Sequence, residues 1–218
     1  MPNSHQITHQ LLQNWCKLLQ NFDINQTAAE QTFAQIAEAY STPNRYYHNL
    51  KHIHHVLEVI QTLESQTENL STESVQLAAW FHDIVYNTKA KDNEEKSGDR
   101  AVSVLLSLSI PCEVIENVKS LILTTKNHQA FKGDCLSKIL LDADLAILSS
   151  NSNEYKNYAD AIRQEYIWVP EVEYFAARKQ ILQNFLEREN IYFTELMQQT
   201  KEKIARNNLE TEIGSKVL

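Results

Sequence analysis

Four of the chain's eight histidines fall within the stretch RYYHNLKHIHHVLEVI, residues 45–60. His48 and His52 are four residues apart, so on a helix they share one face, and His55 joins them there. Histidines at this spacing bind zinc and similar metals when further ligands meet them. The same spacing also fits a solvated or core histidine pair, so the stretch alone leaves both interpretations open.

A second candidate lies in AAWFHDIVY, where His82 and Asp83 interrupt an apolar stretch. Burying a charge in such a stretch is unfavourable unless the group is paired or bound to a metal. The pair is therefore a candidate for a functional site. The alternative is a helix end, with His82 and Asp83 beginning an exposed turn.

A third candidate is KILLDADLAILSS, in which Asp142 and Asp144 interrupt a hydrophobic run. Residues two apart on a helix point about 200° away from each other. The two carboxylates therefore cannot both reach one metal ion from a regular helix. One would bind while the other caps or pairs elsewhere, or both would lie on a partly exposed amphipathic helix.

The order of these candidates, H…HD…D, resembles the signature of the HD superfamily of metal-dependent phosphohydrolases. The segment YHNLKH also resembles the YHNxxH motif of the cyclic-nucleotide phosphodiesterases, a distant branch. A bacterial group of predicted HD phosphohydrolases is similar over most of the chain, in TPNRYYHNLKHI, FHDIVY, DNEEKS, LLDADLAIL, EYIWV and IYFTE. An all-α fold agrees with this resemblance.

The resemblance implies a role for each matched residue. The implied metal ligands are His52, His82, Asp83 and Asp144. Asp144 is preferred as the last ligand because Ala143–Asp144–Leu145–Ala146 aligns best with the final aspartate of the pattern, and Asp142 is the reserve. His48 would be the proton donor.

The chemistry expected of such a site follows from its mixed nitrogen and oxygen donors. They suit Mn, Fe, Co, Ni, Zn or Mg, at one or two ions per chain, and manganese or ferrous iron matches the donor set well. A metal of this kind activates water for attack on phosphorus, and a general acid protonates the leaving oxygen. The predicted function is hydrolysis of a small phosphorylated molecule, with nucleotides among the candidates.

Three further residues near these motifs are weaker candidates. Arg45 would clamp a phosphate through its planar fork, or would be an ordinary surface arginine. Glu94 and Glu95 follow the HD motif, and the resemblance implies that one of them orients the water or a second metal. The alternative is that Asp92 or Asn93 caps a helix whose first turn carries both glutamates.

The segment TTKNHQAF supplies the last two candidates. His128 follows an apolar helix, and the resemblance implies that it lies near the pocket, as a phosphate contact or as a support for the ligands. Lys126 would serve the same role. The alternative is an inert loop histidine.

Helices are expected to position these residues, because three glycines and four prolines in 218 residues are too few for a turn-rich β fold. Apolar spacings of three and four, with start and stop signals, predict helices at about 7–22, 26–40, 48–63, 72–86, 92–108, 111–124 and 134–148, with three more after Asn153. We predict one all-α HD-type domain over 1–218, with a core of about 26–150 and C-terminal helices of about 153–208 packed on it.

The bulk composition limits the partners. A formal net charge of −8 argues against a stable nucleic-acid partner or an anionic membrane. No apolar run reaches about 18 residues, and the polar start MPNSHQITHQ has no signal-peptide core, which predicts a cytoplasmic protein. Cys16, Cys112 and Cys135 are expected to be reduced thiols. The composition does not decide whether the chain is a monomer or a homodimer.

Two other functions fit the same residues. Some HD-fold proteins hold two irons and oxidise their substrate, which here would require extra ligands from His48, His55 or His128. The second is a non-catalytic regulatory module that binds a metal or a nucleotide.

Overall fold

The computed structural model describes residues 4–65, 72–130 and 133–215, and these residues form helices and connecting turns without a strand. The helices are α1 (Ser4–Gln20), α2 (Gln26–Tyr40), α3 (Leu50–Glu64), α4 (Glu73–Phe81), α5 (Asn93–Ser107), α6 (Cys112–Thr124), α7 (Cys135–Asp144), a 3₁₀ helix (Leu145–Ser149), α8 (Ser152–Glu165), α9 (Glu171–Leu186), α10 (Glu195–Thr200) and α11 (Glu202–Ser215). The predicted all-α class is confirmed. Within the described ranges, no helix has the length and apolar character needed to cross a bilayer.

Asparagine and aspartate side chains fix where several helices begin. Asn25 accepts a hydrogen bond from the Ala28 amide at the start of α2, and Asn49 accepts one from Lys51 at the start of α3. Asp134 and Asn151 cap α7 and α8 in the same way. Each cap satisfies an amide that the first turn leaves without a partner, so short polar residues set these boundaries where glycine and proline are scarce.

Helix α4 lies at the centre of the core, with seven of its nine residues buried. Trp15 of α1 packs edge-on against Trp80 and Phe81, with ring centroids 5.3 and 6.0 Å away. The Tyr40 hydroxyl donates a hydrogen bond of 3.1 Å to the Trp80 carbonyl. These contacts hold the C-terminal end of α4 in place, and His82 follows that end directly.

Several helix boundaries differ from the sequence prediction. The helix expected to run to Tyr86 ends at Phe81, so His82 and Asp83 follow it. The helix expected to carry His48 begins at Leu50, because Asn49 caps it and leaves His48 in the preceding turn. The helix expected over 134–148 ends at Asp144 and continues as a 3₁₀ turn. Four helices, rather than three, follow residue 150 in the described chain.

Candidate metal centre

Three separate segments bring the predicted ligands together. His52 lies in the first turn of α3, His82 and Asp83 follow α4, and Asp144 is the last residue of α7. The ends of α4 and α7 therefore meet the beginning of α3. His52 and His82 are almost fully buried, at 3% and 1% exposure, so α3 and α4 present them to the interior rather than to solvent.

The ligating atoms converge within the range expected for one metal ion. His52 Nε2 lies 3.0 Å from His82 Nε2 and 3.3 Å from Asp144 Oδ1. His82 Nε2 lies 3.1 Å from Asp83 Oδ2. Donors about 2.1 Å from a shared metal ion are themselves roughly 3.0 to 3.4 Å apart. His52, His82 and Asp83 form a group that could hold a metal ion, and Asp144 reaches both histidines.

The hydrogen bonds of the rings also fit metal binding. His82 Nδ1 lies 2.9 Å from the Ala79 carbonyl, so Nδ1 carries the proton and donates it there. His82 Nε2 therefore faces His52 Nε2, at 3.0 Å. Burial would lower the pKa of His82, but Asp83 and Asp144 outweigh it and raise that pKa well above its usual value. A proton or a cation between the two nitrogens relieves their repulsion. Within the described residues His52 Nδ1 is buried without a hydrogen-bond partner.

The electrostatics of the cluster keep its carboxylates ionised. Burial would raise the pKa of Asp83, but the neighbouring His82 and His48 hold it below its usual value. Burial opposes ionisation of Asp144 as well, and His128, His52 and His82 outweigh it and hold its pKa well below normal. The histidines thus compensate the charge of both carboxylates, and a bound cation would do the same.

Asp142 lies on the other side of α7 from the cluster. Its Oδ1 accepts a hydrogen bond of 2.7 Å from the Phe193 amide, and its Oδ2 accepts from the amide and hydroxyl of Thr194, at 2.7 and 2.6 Å. This is the arrangement that the 200° separation on a helix requires. Asp144 faces the cluster, whereas Asp142 joins α7 to the segment before α10.

Replacing Asp142 with alanine is expected to lower the free energy of unfolding by about 3 kcal/mol, because two amides and a hydroxyl lose their acceptor in a buried place. Asp142→Asn keeps one oxygen and should lose about half as much. Urea unfolding of the two variants measures both values. Equal stability of Asp142→Ala and the wild type would show that the contact contributes nothing.

His48 lies beside the cluster in the turn before α3. Its Nε2 is 3.9 Å from Asp83 Oδ2, and its ring stacks on Tyr86 with centroids 4.1 Å apart. Its Nδ1 is 2.6 Å from Glu165 Oε2. Burial would lower the pKa of His48, but Asp83 and Glu165 outweigh it and raise that pKa. An imidazolium that Asp83 and Glu165 hold beside the cluster in this way is a suitable proton donor.

Glu165, the last residue of α8, is a site residue that the sequence analysis missed. Its Oε1 accepts hydrogen bonds from the Tyr47 and His48 amides, at 2.8 and 3.0 Å, while Oε2 holds the His48 ring. The side chain is 4% exposed. The available signal was its place on the apolar face of α8, three residues after Ile162, but its partner 117 residues away could not be read from spacing.

The structure places Arg45 behind the ligands. Its guanidinium donates to the carbonyls of His48 and Asp83, at 2.9 and 2.7 Å, and to the Ile84 carbonyl at 2.9 Å. Arg45 is not among the described residues that line the cavity beside the cluster. Its fork therefore binds backbone oxygens in this structure, and its predicted contact with phosphate stays a prediction.

The remaining candidates divide between the cavity and the surface. Glu94 and His128 line the cavity, and His128 Nε2 lies 3.3 Å from Asp144 Oδ2. Glu95 and Lys126 form an ion pair with each other, and both side chains are substantially exposed. The structure thus brings His128 and Glu94 to the site and places Glu95 and Lys126 in a surface pair.

A cavity of about 470 Å³ opens beside the cluster. Its wall includes the predicted proton donor and three of the four predicted ligands, namely His48, His82, Asp83 and Asp144. The size is within the usual range for a small-molecule site. A small molecule bound in this cavity would contact the predicted metal-binding residues and His48 at the same time.

Searches against protein-family models, curated proteins and solved structures found no match.

Proposed function

We propose that this chain is a metal-dependent phosphohydrolase of the HD type that acts on a small phosphorylated molecule. The observation that carries the proposal is the convergence of two imidazole nitrogens and two carboxylate oxygens beside a partly buried His48–Glu165 pair. Ligands and a positioned proton donor meet at one cavity. Each of them can accelerate hydrolysis of a phosphate ester.

His52, His82, Asp83 and Asp144 would hold the metal ion. When bound there, a divalent metal supplies Lewis-acid chemistry, by lowering the pKa of water and orienting a phosphoryl group. The mixed donor set suits Mn or Fe and also accepts Co, Ni, Zn or Mg. Ala79, whose carbonyl accepts from His82 Nδ1, fixes the direction of the His82 ring toward that position.

His48 would donate the proton that the leaving oxygen needs. Its Nδ1 is engaged by Glu165, so Nε2 is the nitrogen that remains to act on a substrate. Nε2 lies on the side of the ligand Asp83, at 3.9 Å, within the wall of the cavity. General acid help of this kind contributes about 10²–10⁴ in rate.

Glu165 would position His48 rather than touch substrate. One carboxylate oxygen holds the ring and the other holds the backbone amides of Tyr47 and His48. Ring and backbone are therefore fixed by the same residue. His128, hydrogen-bonded at 3.3 Å to Asp144, would steady the last ligand in a similar way.

The experiment that tests the proposal combines metal analysis with a phosphatase screen. The purified chain is expected to bind one or two transition-metal ions, measured by mass spectrometry, and to release phosphate from small monoesters after loading with that metal. Oxygen consumption by an iron-loaded protein with two irons per chain would point to the oxygenase alternative. Tight metal or nucleotide binding without any turnover would overturn the hydrolase proposal in favour of the regulatory module.

A further inference from the structure

The wall of the cavity away from the ligands is apolar. Helices α8 and α9 and the segment between them contribute Ile162, Val169, Ala177, Ile181, Leu182 and Phe185. Several tyrosine rings add flat apolar surface between these side chains and the cluster. The part of a ligand that points away from the metal would therefore lie against hydrocarbon.

The cavity wall offers little positive charge that is not already compensated by a carboxylate. Among the described lining residues, Arg178 is the one arginine or lysine. Its Nε and Nη2 donate to the two oxygens of Glu212, each at 3.1 Å, and its Nη1 donates to the Tyr158 hydroxyl at 3.3 Å. The charge of Arg178 is compensated within the protein, while Glu94 adds a carboxylate to the wall.

The surface around the cavity continues this apolar character. Trp168 and Ile181 both line the cavity, and each is 49% exposed. Lys89 Nζ lies 5.2 Å from the centroid of the Trp168 ring, so this ammonium packs on the indole. An apolar ligand would cover exposed hydrocarbon on entering, at a gain proportional to the area removed from water.

We infer that the substrate is a monophosphate ester with a predominantly apolar body, and that polyphosphates are rejected. The inference rests on the proposed function and adds the substrate class. The proposed metal site and His48 can together bind one phosphoryl group. A second or third phosphate would be desolvated beside Glu94 and the cluster carboxylates, which is strongly unfavourable, and the one arginine or lysine among the described lining residues is already paired with Glu212.

The test compares phosphates of primary alcohols, so that the leaving groups have similar chemistry. The metal-loaded full chain is assayed with 3-phenylpropyl phosphate, whose alcohol part is apolar, and with glycerol 3-phosphate, whose alcohol part is polar. Deoxyadenosine 5′-monophosphate and 5′-triphosphate differ in phosphate number, and release of deoxyadenosine scores cleavage of the same 5′ ester bond in both. We expect kcat/KM at least tenfold higher for 3-phenylpropyl phosphate than for glycerol 3-phosphate, and at least tenfold higher for the monophosphate than for the triphosphate.

A variant links the selectivity to the cavity wall. Ile181→Lys places a cation on that wall, and it should lower kcat/KM for 3-phenylpropyl phosphate at least fivefold while narrowing the gap between mono- and triphosphate. Ile204→Lys is the matched control, since Ile204 is 43% exposed on α11 and does not line the cavity. Thermal melting shows whether both variants are folded.

Binding separates failure of the inference from failure of the proposed function. Calorimetry with 3-phenylpropylphosphonate, which cannot be hydrolysed, should give at least tenfold tighter binding than glycerol 3-phosphate, and Ile181→Lys should abolish the difference. Equal kcat/KM for the two bodies, or a preferred triphosphate, overturns the inference while the hydrolase survives. No turnover of any ester with selective phosphonate binding overturns the hydrolase and supports the apolar site.

Discussion

Replacing His82 with alanine is expected to abolish the proposed metal binding and to lower phosphate release by about 10³-fold or more. His82 Nε2 lies within 3.5 Å of His52, Asp83 and Asp144, so its loss opens the cluster on one side. Metal content and kcat/KM measure the two effects. The wild type should also melt at a lower temperature after chelation, because bound metal stabilises only the folded state.

The matched control for this prediction is His54→Ala. His54 is on α3, two residues from His52, but its ring contacts Gln10 and Glu58. It should retain the metal and the response to chelation. A His82→Ala protein that still binds stoichiometric metal, or whose melting temperature still falls on chelation, would contradict the proposed ligand set.

Replacing His48 with alanine is expected to lower kcat by about 10²–10⁴ for an ester of a simple alcohol, since the alkoxide then leaves without a proton. Glu165→Gln should lower kcat by about 10- to 100-fold with little change in KM, because the amide no longer fixes the His48 ring as a carboxylate does. The double variant should be no slower than His48→Ala alone, since the two residues act as one unit.

A substrate with a good leaving group distinguishes proton donation from a structural role. With p-nitrophenyl phosphate, whose leaving group needs no proton, both single variants should lose much less activity than with an alkyl phosphate. Glu165→Gln keeps an oxygen for the Tyr47 and His48 amides, so folding is expected to be retained. Equal losses on both substrates would show that the pair supports the structure and donates no proton.

Much of the site could be predicted because its residues violate the apolar pattern around them. His82 and Asp83 stand out within AAWFHDIVY, and the structure brings them to His52 and Asp144. The 200° rule also separated the two aspartates of α7 correctly, although it did not say which one faces the cluster. Helical spacing likewise predicted the boundaries of α2, α5 and α6 to within one residue.

The parts that were missed depend on contacts between distant segments. Glu165 joins the site through a partner 117 residues earlier, and Asp142 binds amides 51 and 52 residues later. Hydrogen bonds to backbone groups cannot be predicted from the types of the residues that supply those groups. For the same reason the sequence could not predict the bonds of the Arg45 guanidinium to carbonyl oxygens, and its contact with phosphate stays a prediction.

The position of Arg45 has a mechanical consequence. One guanidinium group bonds to the backbone on both sides of the site, at His48 and at residues 83 and 84. The guanidinium thereby connects the two segments, and its planar geometry helps to set the spacing between His48 and Asp83. A lysine has a single ammonium group on a flexible stem and cannot reproduce that fork. Position 45 therefore connects the two segments that carry His48 and Asp83.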